Sequence, residues 1–288
     1  MVFSGLALTS SRAGAIPEHV PTVLIVDKAT NALKIGEYKD DQLSIVKTFR
    51  TTVGKVVGDK EEEGDLKTPE GIYTFTSLLT PPSLKPKFGV MAFYVNYPNP
   101  FDQIAGNTGF DIMLHATDEP ERLKRDFDSE GCIVVNNGEL TEIKPWVKLG
   151  LTPLMVFSKL EDRYLSPGKD TRLRDFFWTW IGAWEGKNID GYMNHYHSEF
   201  RSEAYTRDSW KAYKHGLNSR YQTIKVNPTH IIFLAHPKYS VVQFTQNYES
   251  HLNSGGTGHK SIGTKRLYVA EEKGVLKIID EDFSRLVW

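Results

Sequence analysis

A single cysteine and a nearby histidine are the residues in this chain whose types and spacing best suit covalent chemistry. Cys132 is the only cysteine, and His115 stands 17 positions before it. Each lies at one end of an apolar, strand-like run, and the polar segment between them, Asp118–Asp128, is long enough to bring the two ends together. A cysteine nucleophile reacts as the thiolate, so its ordinary pKa of about 8.5 must be lowered by an imidazole or by backbone N–H groups. A strand-end cysteine beside an unrelated core histidine is the alternative that these two residues leave open.

The residues around the cysteine are suited to binding an acyl substrate. Ser129 and Gly131 precede Cys132 in the order Ser-x-Gly-Cys. A glycine lets backbone amides come close to a substrate, as the stabilisation of an oxyanion requires. Arg122 and Arg125 lie between the histidine and the cysteine, where a guanidinium can receive a substrate carboxylate. Ordinary surface charges are the alternative for both arginines.

Three ordered motifs resemble a known family. His115-Ala116-Thr117, followed by Ser129-x-Gly131-Cys132-Ile133, is similar to the catalytic motif of the L,D-transpeptidase (YkuD-type) domain of bacterial cell-wall enzymes. Upstream, Thr68-Pro69-Glu70-Gly71-Ile72-Tyr73 resembles that family's Thr-Pro-x-Gly-x-(Phe/Tyr) segment. An N-terminal hairpin with a Val-Asp-Lys turn is also typical of the family, and the resemblance covers about residues 20–160.

The resemblance implies a role for individual residues. Cys132 would be the nucleophile, and His115 would take its proton. A backbone carbonyl next to the histidine, that of Ala116 or Thr117, would orient the imidazole, and the N–H groups of Gly131 and Cys132 would hold the oxyanion. No metal or organic cofactor is implied. The residues expected to bind the substrate are Ser129, Thr117, Arg122 and Arg125.

Short strands must position these residues. Apolar and β-branched runs between turn signals predict a mainly β domain over residues 21–162, preceded by an irregular arm of residues 1–20. The predicted strands are 22–26, 32–38, 43–53, 71–79, 93–97, 111–115, 132–135 and 153–158, and the one predicted helix is 138–149.

The pattern changes after a linker at residues 163–170. Phe176, Trp180 and Trp184 recur four positions apart, which is typical of one face of a helix. Two more helices follow, one capped by Asp190 and one over 209–221, and then strands at 229–235, 239–247, 264–270 and 275–280. Residues 171–288 resemble an NTF2-like domain. The expected fold class is therefore a mainly β YkuD-type catalytic domain followed by an α+β NTF2-like cone domain.

Three further motifs have structural explanations. Trp178, Trp180 and Trp184 are expected to be mostly core, with a sugar-binding pocket as the alternative. His195 and His197 point to different faces of a helix, which disfavours a metal site. The stretch 253–258 is glycine-rich like a phosphate-binding loop but lacks the following Lys-Ser/Thr, so we expect a hairpin loop.

Composition excludes several classes of protein. The 288 residues carry 35 basic and 36 acidic side chains, so the chain lacks the basic footprint of a nucleic-acid-binding protein. No apolar run approaches the roughly 18–20 residues that cross a membrane. The first fifteen residues lack the positive region of a signal peptide. A periplasmic location is therefore implied by the family resemblance alone.

The pairing of the two domains is similar to the peptidoglycan L,D-carboxypeptidases of helical ε-proteobacteria. Those enzymes trim the stem tetrapeptide to a tripeptide and influence cell shape. Glu130 and Val134 stand where many transpeptidases of the family have His and Arg or Asn, which favours carboxypeptidase activity. The expected partner is the stem peptide. Cross-linking by transpeptidation, a non-catalytic wall-binding scaffold, and a homodimer all stay open.

Overall fold

The computed structural model describes residues 20–166 and 171–285. Most of the expected N-terminal arm and the end of the expected linker lie outside these residues. In the first part the elements are β1 Thr22–Asp27, β2 Ala32–Lys39, β3 Gln42–Arg50, β4 Val53–Gly54, β5 Gly71–Leu79, β6 Ala92–Val95, α1 Pro100–Ala105, β7 Met113–His115, β8 Phe127–Ser129, β9 Ile133–Val134, α2 Asn137–Ile143 and β10 Pro153–Phe157. Single 3-10 turns lie at Pro86–Phe88, Pro120–Lys124, Lys144–Trp146 and Asp162–Leu165.

One eight-stranded sheet positions the catalytic motifs. Its strand order is β3-β2-β1-β10-β5-β6-β7-β9, with β1 parallel to β10 and β7 parallel to β9. The parallel pairing sets Leu114 beside Ile133 and His115 beside Val134. The strand that ends at the histidine therefore lies next to the strand that follows the cysteine. β4 and β8 form a separate parallel pair beside them.

The second part is a four-stranded antiparallel sheet with helices on one face. The strand order is β13-β14-β15-β16. Its elements are α3 Thr171–Glu185, α4 Ile189–Met193, β11 Arg201–Ser202, β12 Tyr205–Thr206, α5 Arg207–Arg220, β13 Tyr221–Ala235, β14 Ser240–Leu252, β15 Thr257–Glu272 and β16 Val275–Arg285. Trp180 and Trp184 of α3 are buried against this sheet, as their spacing predicts, whereas Trp178 is exposed.

Element boundaries differ from the sequence-based expectation where a local residue overrides the pattern. Pro145 lacks an N–H, so α2 ends at Ile143 and continues only as a 3-10 turn. α4 is a single turn, and Tyr196 lies beyond it, buried where it bridges to Ile278. The strands of the second sheet are much longer than predicted because their polar ends continue the ladder.

An apolar layer joins the two sheets. On β1, Val23 and Ile25 face this layer, while the alternate residues Leu24 and Val26 face the core of the first part. Met155 and Phe157 of β10 also enter the layer. From the second sheet it receives Ile232, Leu234, Val241, Tyr268 and Ile279. The second sheet is thus covered by helices on one face and by the first sheet on the other.

Candidate active site

Cys132 and His115 line the same cavity, which has a volume of about 650 Å³. Its walls come from the ends of β7 and β8, the 3-10 turn Pro86–Phe88, and the loop between β4 and β5. Lys60, Glu63 and Gly64 line it, and so does Glu119. The two charged segments that flank the motifs in sequence therefore border the cavity.

The turn before Cys132 requires a glycine. Gly131 has a φ of 125°, in the region that L side chains rarely adopt. A Cβ at this position would lie 2.9 Å from the Lys67 carbonyl oxygen and 3.1 Å from the Ile112 side chain. Only glycine lets the chain enter β9 with Cys132 in the cavity wall.

The surroundings of the cysteine raise the pKa of its thiol. Its Sγ donates to the Asp111 carbonyl oxygen over 3.6 Å. Burial raises the pKa of the Cys132 thiol to about 11, and the Met113 N–H opposes this rise only in part. The expectation of a lowered thiol pKa does not hold in this structure, because desolvation outweighs the hydrogen bond.

The histidine is oriented by a backbone carbonyl. His115 is buried, and its Nδ1 lies 2.5 Å from the Ala116 carbonyl oxygen. A carbonyl only accepts, so Nδ1 carries the proton and Nε2 keeps a free lone pair. Burial lowers the pKa of His115 to about 4, and the Phe88 ring stands edge-on to the imidazole at 4.8 Å. The resting imidazole is therefore neutral and able to accept a proton.

Ser129 holds the turn that carries the nucleophile. Its hydroxyl donates to the Cys132 carbonyl oxygen over 2.6 Å and accepts from the Gly131 N–H over 3.1 Å. The Gly131 amide, which the resemblance assigns to the oxyanion, is thus occupied by Ser129 in this structure. Ser129 is buried and acts on the backbone of the turn.

Comparison with known proteins gives the family. Residues 21–156 match the L,D-transpeptidase catalytic domain (YkuD), and residues 172–282 match the Cds6 C-terminal NTF2-like domain. Bd1075 of Bdellovibrio bacteriovorus is 30% identical, with a TM-score of 0.79 over 93% of this chain and 94% of that chain. The chain belongs to the L,D-transpeptidase (YkuD) family. The expected fold class, a YkuD domain followed by an NTF2-like domain, is confirmed.

A second solved structure shows the same two-domain fold. Pgp2 of Campylobacter jejuni, described as a helical cell shape determining protein, is 24% identical, with a TM-score of 0.70 over 92% of each chain. A search among curated proteins returned no match.

The remaining predicted site residues of this L,D-transpeptidase family member lie at different distances from the cavity. Arg122 lines it, but its guanidinium already donates to Asp128 Oδ2 over 2.9 Å and to the Asp128 carbonyl over 3.1 Å. Arg125 donates to Asp128 Oδ1 over 2.6 Å and is not part of the cavity wall. Thr117 is buried, and its hydroxyl accepts from the Glu119 N–H. The structure therefore brings Arg122 to the YkuD cavity and leaves Arg125 and Thr117 outside it.

Three contributors to the cavity carry no catalytic signature in the sequence. Phe88 packs against the same small apolar cluster as Cys132, and it follows a proline-rich stretch that predicts only a chain break. Asp111 accepts from the thiol through its backbone carbonyl oxygen. Every residue type has this group, so the sequence cannot indicate the contact. Phe110 lies at the rim of the cavity and is 64% exposed. In the sequence, its position as a lone aromatic among polar residues is the one sign of this role.

The interior of the NTF2-like domain is charged. Lys265 Nζ and Glu281 Oε1 lie 2.8 Å apart, and both side chains are buried. The Lys214 ammonium lies 4.4 Å from the Trp184 ring centre and 4.5 Å from that of Trp210, and burial lowers its pKa to about 8. The aromatic spacing of the sequence gives no sign of these charges, because they lie on three different elements: Lys214 on α5, Lys265 on β15 and Glu281 on β16.

The other motifs have structural roles. His195 Nδ1 lies 2.9 Å from the Gly191 carbonyl, and Nε2 lies 3.1 Å from the Thr179 hydroxyl. No group of three His, Cys, Asp or Glu side chains within residues 20–166 and 171–285 is arranged to hold a metal ion. The glycine-rich stretch forms the hairpin between β14 and β15. In the part of the chain that the structure describes, no helix has the length and apolarity needed to cross a membrane.

Proposed function

We propose that this protein is a peptidoglycan L,D-carboxypeptidase that shortens the stem tetrapeptide to a tripeptide and releases D-alanine. The observation that carries the proposal is that one cavity of a YkuD domain contains both a partly buried thiol and an imidazole whose Nε2 is free to accept a proton. The similarity to a helical cell shape determining protein supports a periplasmic role in cell shape.

The first half-reaction makes a thioester. As Sγ of Cys132 attacks the carbonyl carbon at the L-configured centre of diaminopimelate, the thiol proton passes to Nε2 of His115. The Cys132 N–H stabilises the oxyanion, since the Gly131 N–H is held by Ser129. The carbon–nitrogen bond then breaks, and the imidazolium gives its proton to the departing D-alanine amine.

The second half-reaction consumes water. Neutral His115 takes a proton from a water molecule, whose oxygen attacks the thioester carbonyl. The carbon–sulfur bond breaks, the imidazolium of His115 returns its proton to Sγ and so restores the thiol, and the tripeptide leaves as a carboxylic acid. Because both catalytic groups start and finish neutral, the cycle needs no stable thiolate–imidazolium pair.

Water is favoured over an amine acceptor by the walls of the cavity. Lys60, Glu63, Glu119 and Glu130 line the cavity, and we infer that these charged side chains admit water to the thioester more readily than a bulky amine acceptor. Val134 is the second departure from the transpeptidase pattern. It is fully buried in the sheet and does not contribute to the choice between water and amine. Arg122 also lines the cavity, and a guanidinium in its wall suits the carboxylate of the leaving D-alanine.

The NTF2-like domain is proposed to hold the wall polymer rather than to catalyse. Its charged interior suits a polar ligand with both donors and acceptors, as a peptide stem has. We propose domain limits of 21–162 and 171–288. Co-sedimentation of Cys132→Ala protein with isolated sacculi tests this role, and protein that stays in the supernatant would exclude it.

The activity is tested by a time course with disaccharide-tetrapeptide and excess amine acceptor, analysed by chromatography and mass spectrometry. We expect tripeptide and free D-alanine as the main products, and neither product with Cys132→Ala or Cys132→Ser. Cross-linked dimers in excess of tripeptide would establish a transpeptidase instead. D-alanine release by Cys132→Ala at the wild-type rate would exclude the cysteine mechanism.

A further inference from the structure

A lysine of the NTF2-like domain reaches into the catalytic domain. Lys238 lies in the turn between β13 and β14, and its Nζ is 2.6 Å from Asp59 Oδ2 and 2.9 Å from the Glu70 carbonyl oxygen. It is also 3.6 Å from Asp102 Oδ1, a carboxylate that is fully buried. The Lys238 side chain is only 25% exposed, so these contacts are partly shielded from water. Charge pairs in such surroundings are stronger than ordinary surface ion pairs.

The two acidic partners of Lys238 belong to different elements. Asp59 lies in the loop of residues 55–70, which we call the Thr-Pro loop, and Asp102 lies in α1. Asp59 also accepts from the Glu70 N–H over 2.7 Å, which ties the middle of the loop to its end. The neighbouring Tyr239 hydroxyl accepts from the Ile72 N–H over 2.7 Å, at the start of β5. The turn of the NTF2-like domain therefore binds the loop at the point where the loop leads into β5.

A second lysine, which belongs to the catalytic domain, binds the same loop. Lys28 Nζ donates to the Gly58 carbonyl over 2.5 Å, to the Thr68 carbonyl over 3.0 Å, and to Glu70 Oε1 over 2.7 Å. The Thr-Pro loop has neither helix nor strand of its own. Two ammonium groups, one from each domain, therefore hold the loop in addition to its internal ion pair between Lys60 and Asp65.

The far side of the loop packs on the catalytic turn. The Lys67 carbonyl oxygen lies only 2.9 Å from the position that a Cβ on Gly131 would occupy. Thr68 Oγ1 accepts from the Gly54 N–H over 2.8 Å, and the next residue, Lys55, donates through its N–H to the Ser129 carbonyl over 2.8 Å. A shift of the loop would therefore move the backbone that presents Cys132.

We propose that Lys238 is a positioning residue for the active site, through which the NTF2-like domain holds the Thr-Pro loop against the Gly131–Cys132 turn. The inference rests on the proposed cysteine mechanism for its effect on turnover. Its effect on the environment of the thiol stands independently of the substrate. Lys238 touches no reacting atom, and its influence passes through Asp59 and the loop.

Lys238→Met removes the charge and keeps much of the side-chain length. We expect kcat for tripeptide formation to fall by about 10- to 100-fold with KM changed less than about threefold, because small errors in the position of catalytic groups mainly affect the transition state. Lys238→Arg should restore most of the rate. The matched control is Lys260→Met, which removes the exposed partner of Glu249 on the same sheet and should leave kcat unchanged.

Alkylation of Cys132 by iodoacetamide provides the readout that needs no substrate. A loosened loop admits water to the thiol, so Lys238→Met should lower the apparent pKa of Cys132, whereas Lys260→Met should not. Asp59→Asn removes the same ion pair by changing its partner in the loop. This variant replaces Lys238→Met in both assays if Lys238→Met does not fold. If wild-type protein shows no turnover but the alkylation shift is present, the proposed function fails and the positioning role stands. A wild-type kcat together with an unchanged alkylation profile, in whichever of the two variants folds, would overturn the positioning role.

Discussion

Cys132 should be alkylated slowly at neutral pH, with a rate that keeps rising far into the alkaline range. Burial raises the pKa of its thiol to about 11. An exposed thiol has a pKa of about 8.5, so at pH 8 the thiolate fraction falls from about a quarter to about one in a thousand. A thiolate of higher pKa is a stronger nucleophile, which restores a factor of roughly 10 to 18. Iodoacetamide should therefore react with Cys132 roughly 15 to 25 times more slowly than with an exposed cysteine of an unstructured peptide at this pH.

The assay is the second-order alkylation rate as a function of pH, followed by the mass of the intact protein. We expect the rate to rise about tenfold per pH unit without a plateau below about pH 10. A midpoint at or below about 8.5 would refute the description of Cys132 as a thiol of raised pKa. A plateau already reached in mild acid would instead indicate a resting thiolate–imidazolium pair.

A variant tests the physical cause of the high thiol pKa. Phe88 packs in the same apolar cluster as Cys132 and against His115. Phe88→Ala should admit water and lower the apparent pKa of the thiol by about one unit, since desolvation is the largest cause of the shift. The control is Trp178→Ala, an exposed aromatic far from the cavity in sequence and on the other domain. An unchanged midpoint in Phe88→Ala would mean that this ring is not what excludes water.

Three further predictions concern stability. A chain that ends at residue 165 should not fold, because four apolar side chains of β1 and β10 would be exposed to water. Their exposure costs roughly 6–12 kcal/mol in total, which is comparable with the whole stability of a domain. A cooperative thermal unfolding transition of the truncated chain would contradict this. Tyr239→Phe leaves the buried Ile72 N–H without its acceptor and should reduce the free energy of unfolding in urea by about 1–3 kcal/mol, whereas a loss below the error of the measurement would show that water replaces the hydroxyl. Burial lowers the pKa of His236 to about 4, below the ordinary value, so the fold favours the neutral ring. The stability from His236, about 3 kcal/mol, should be present above about pH 6.5 and disappear as the pH falls through about 4; His236→Gln should flatten that loss in urea titrations, and an equally steep loss in the variant would assign it to other groups.

The sequence was informative about the cavity because the catalytic motifs are local. His115 and Cys132 each stand beside a short apolar run, and the runs become β7 and β9, which are neighbours in the sheet. The pKa direction of Cys132 was not predictable, since it depends on burial by residues such as Phe88 that carry no chemical signature. Motif similarity also could not show that the Gly131 N–H is already occupied by a side chain two residues away.

Contacts between distant segments account for the rest of what the sequence left undetermined. Lys238 meets Asp59 across 179 positions of chain, and a lysine in a turn is ordinarily a solvated charge. α1 was missed although Asn99 and Asp102 form a capping box around Pro100, because six residues are too few to show a helical period. The roles of Ser129, Arg122 and the other site residues stay predictions until variants are assayed.

The apolar layer between the two sheets has a consequence for how the protein is made. Synthesis runs from the N-terminus, so β1 and β10 leave the ribosome before β13 to β16, the strands that cover their second face. Until then, Thr22–Asp27, a run with every residue buried in the finished protein, can pair with β2 and β10 but keeps an open apolar side. The catalytic half cannot complete its folding during its own synthesis and depends on the last segment of the chain to arrive. Late truncations should therefore yield aggregates rather than a smaller active enzyme.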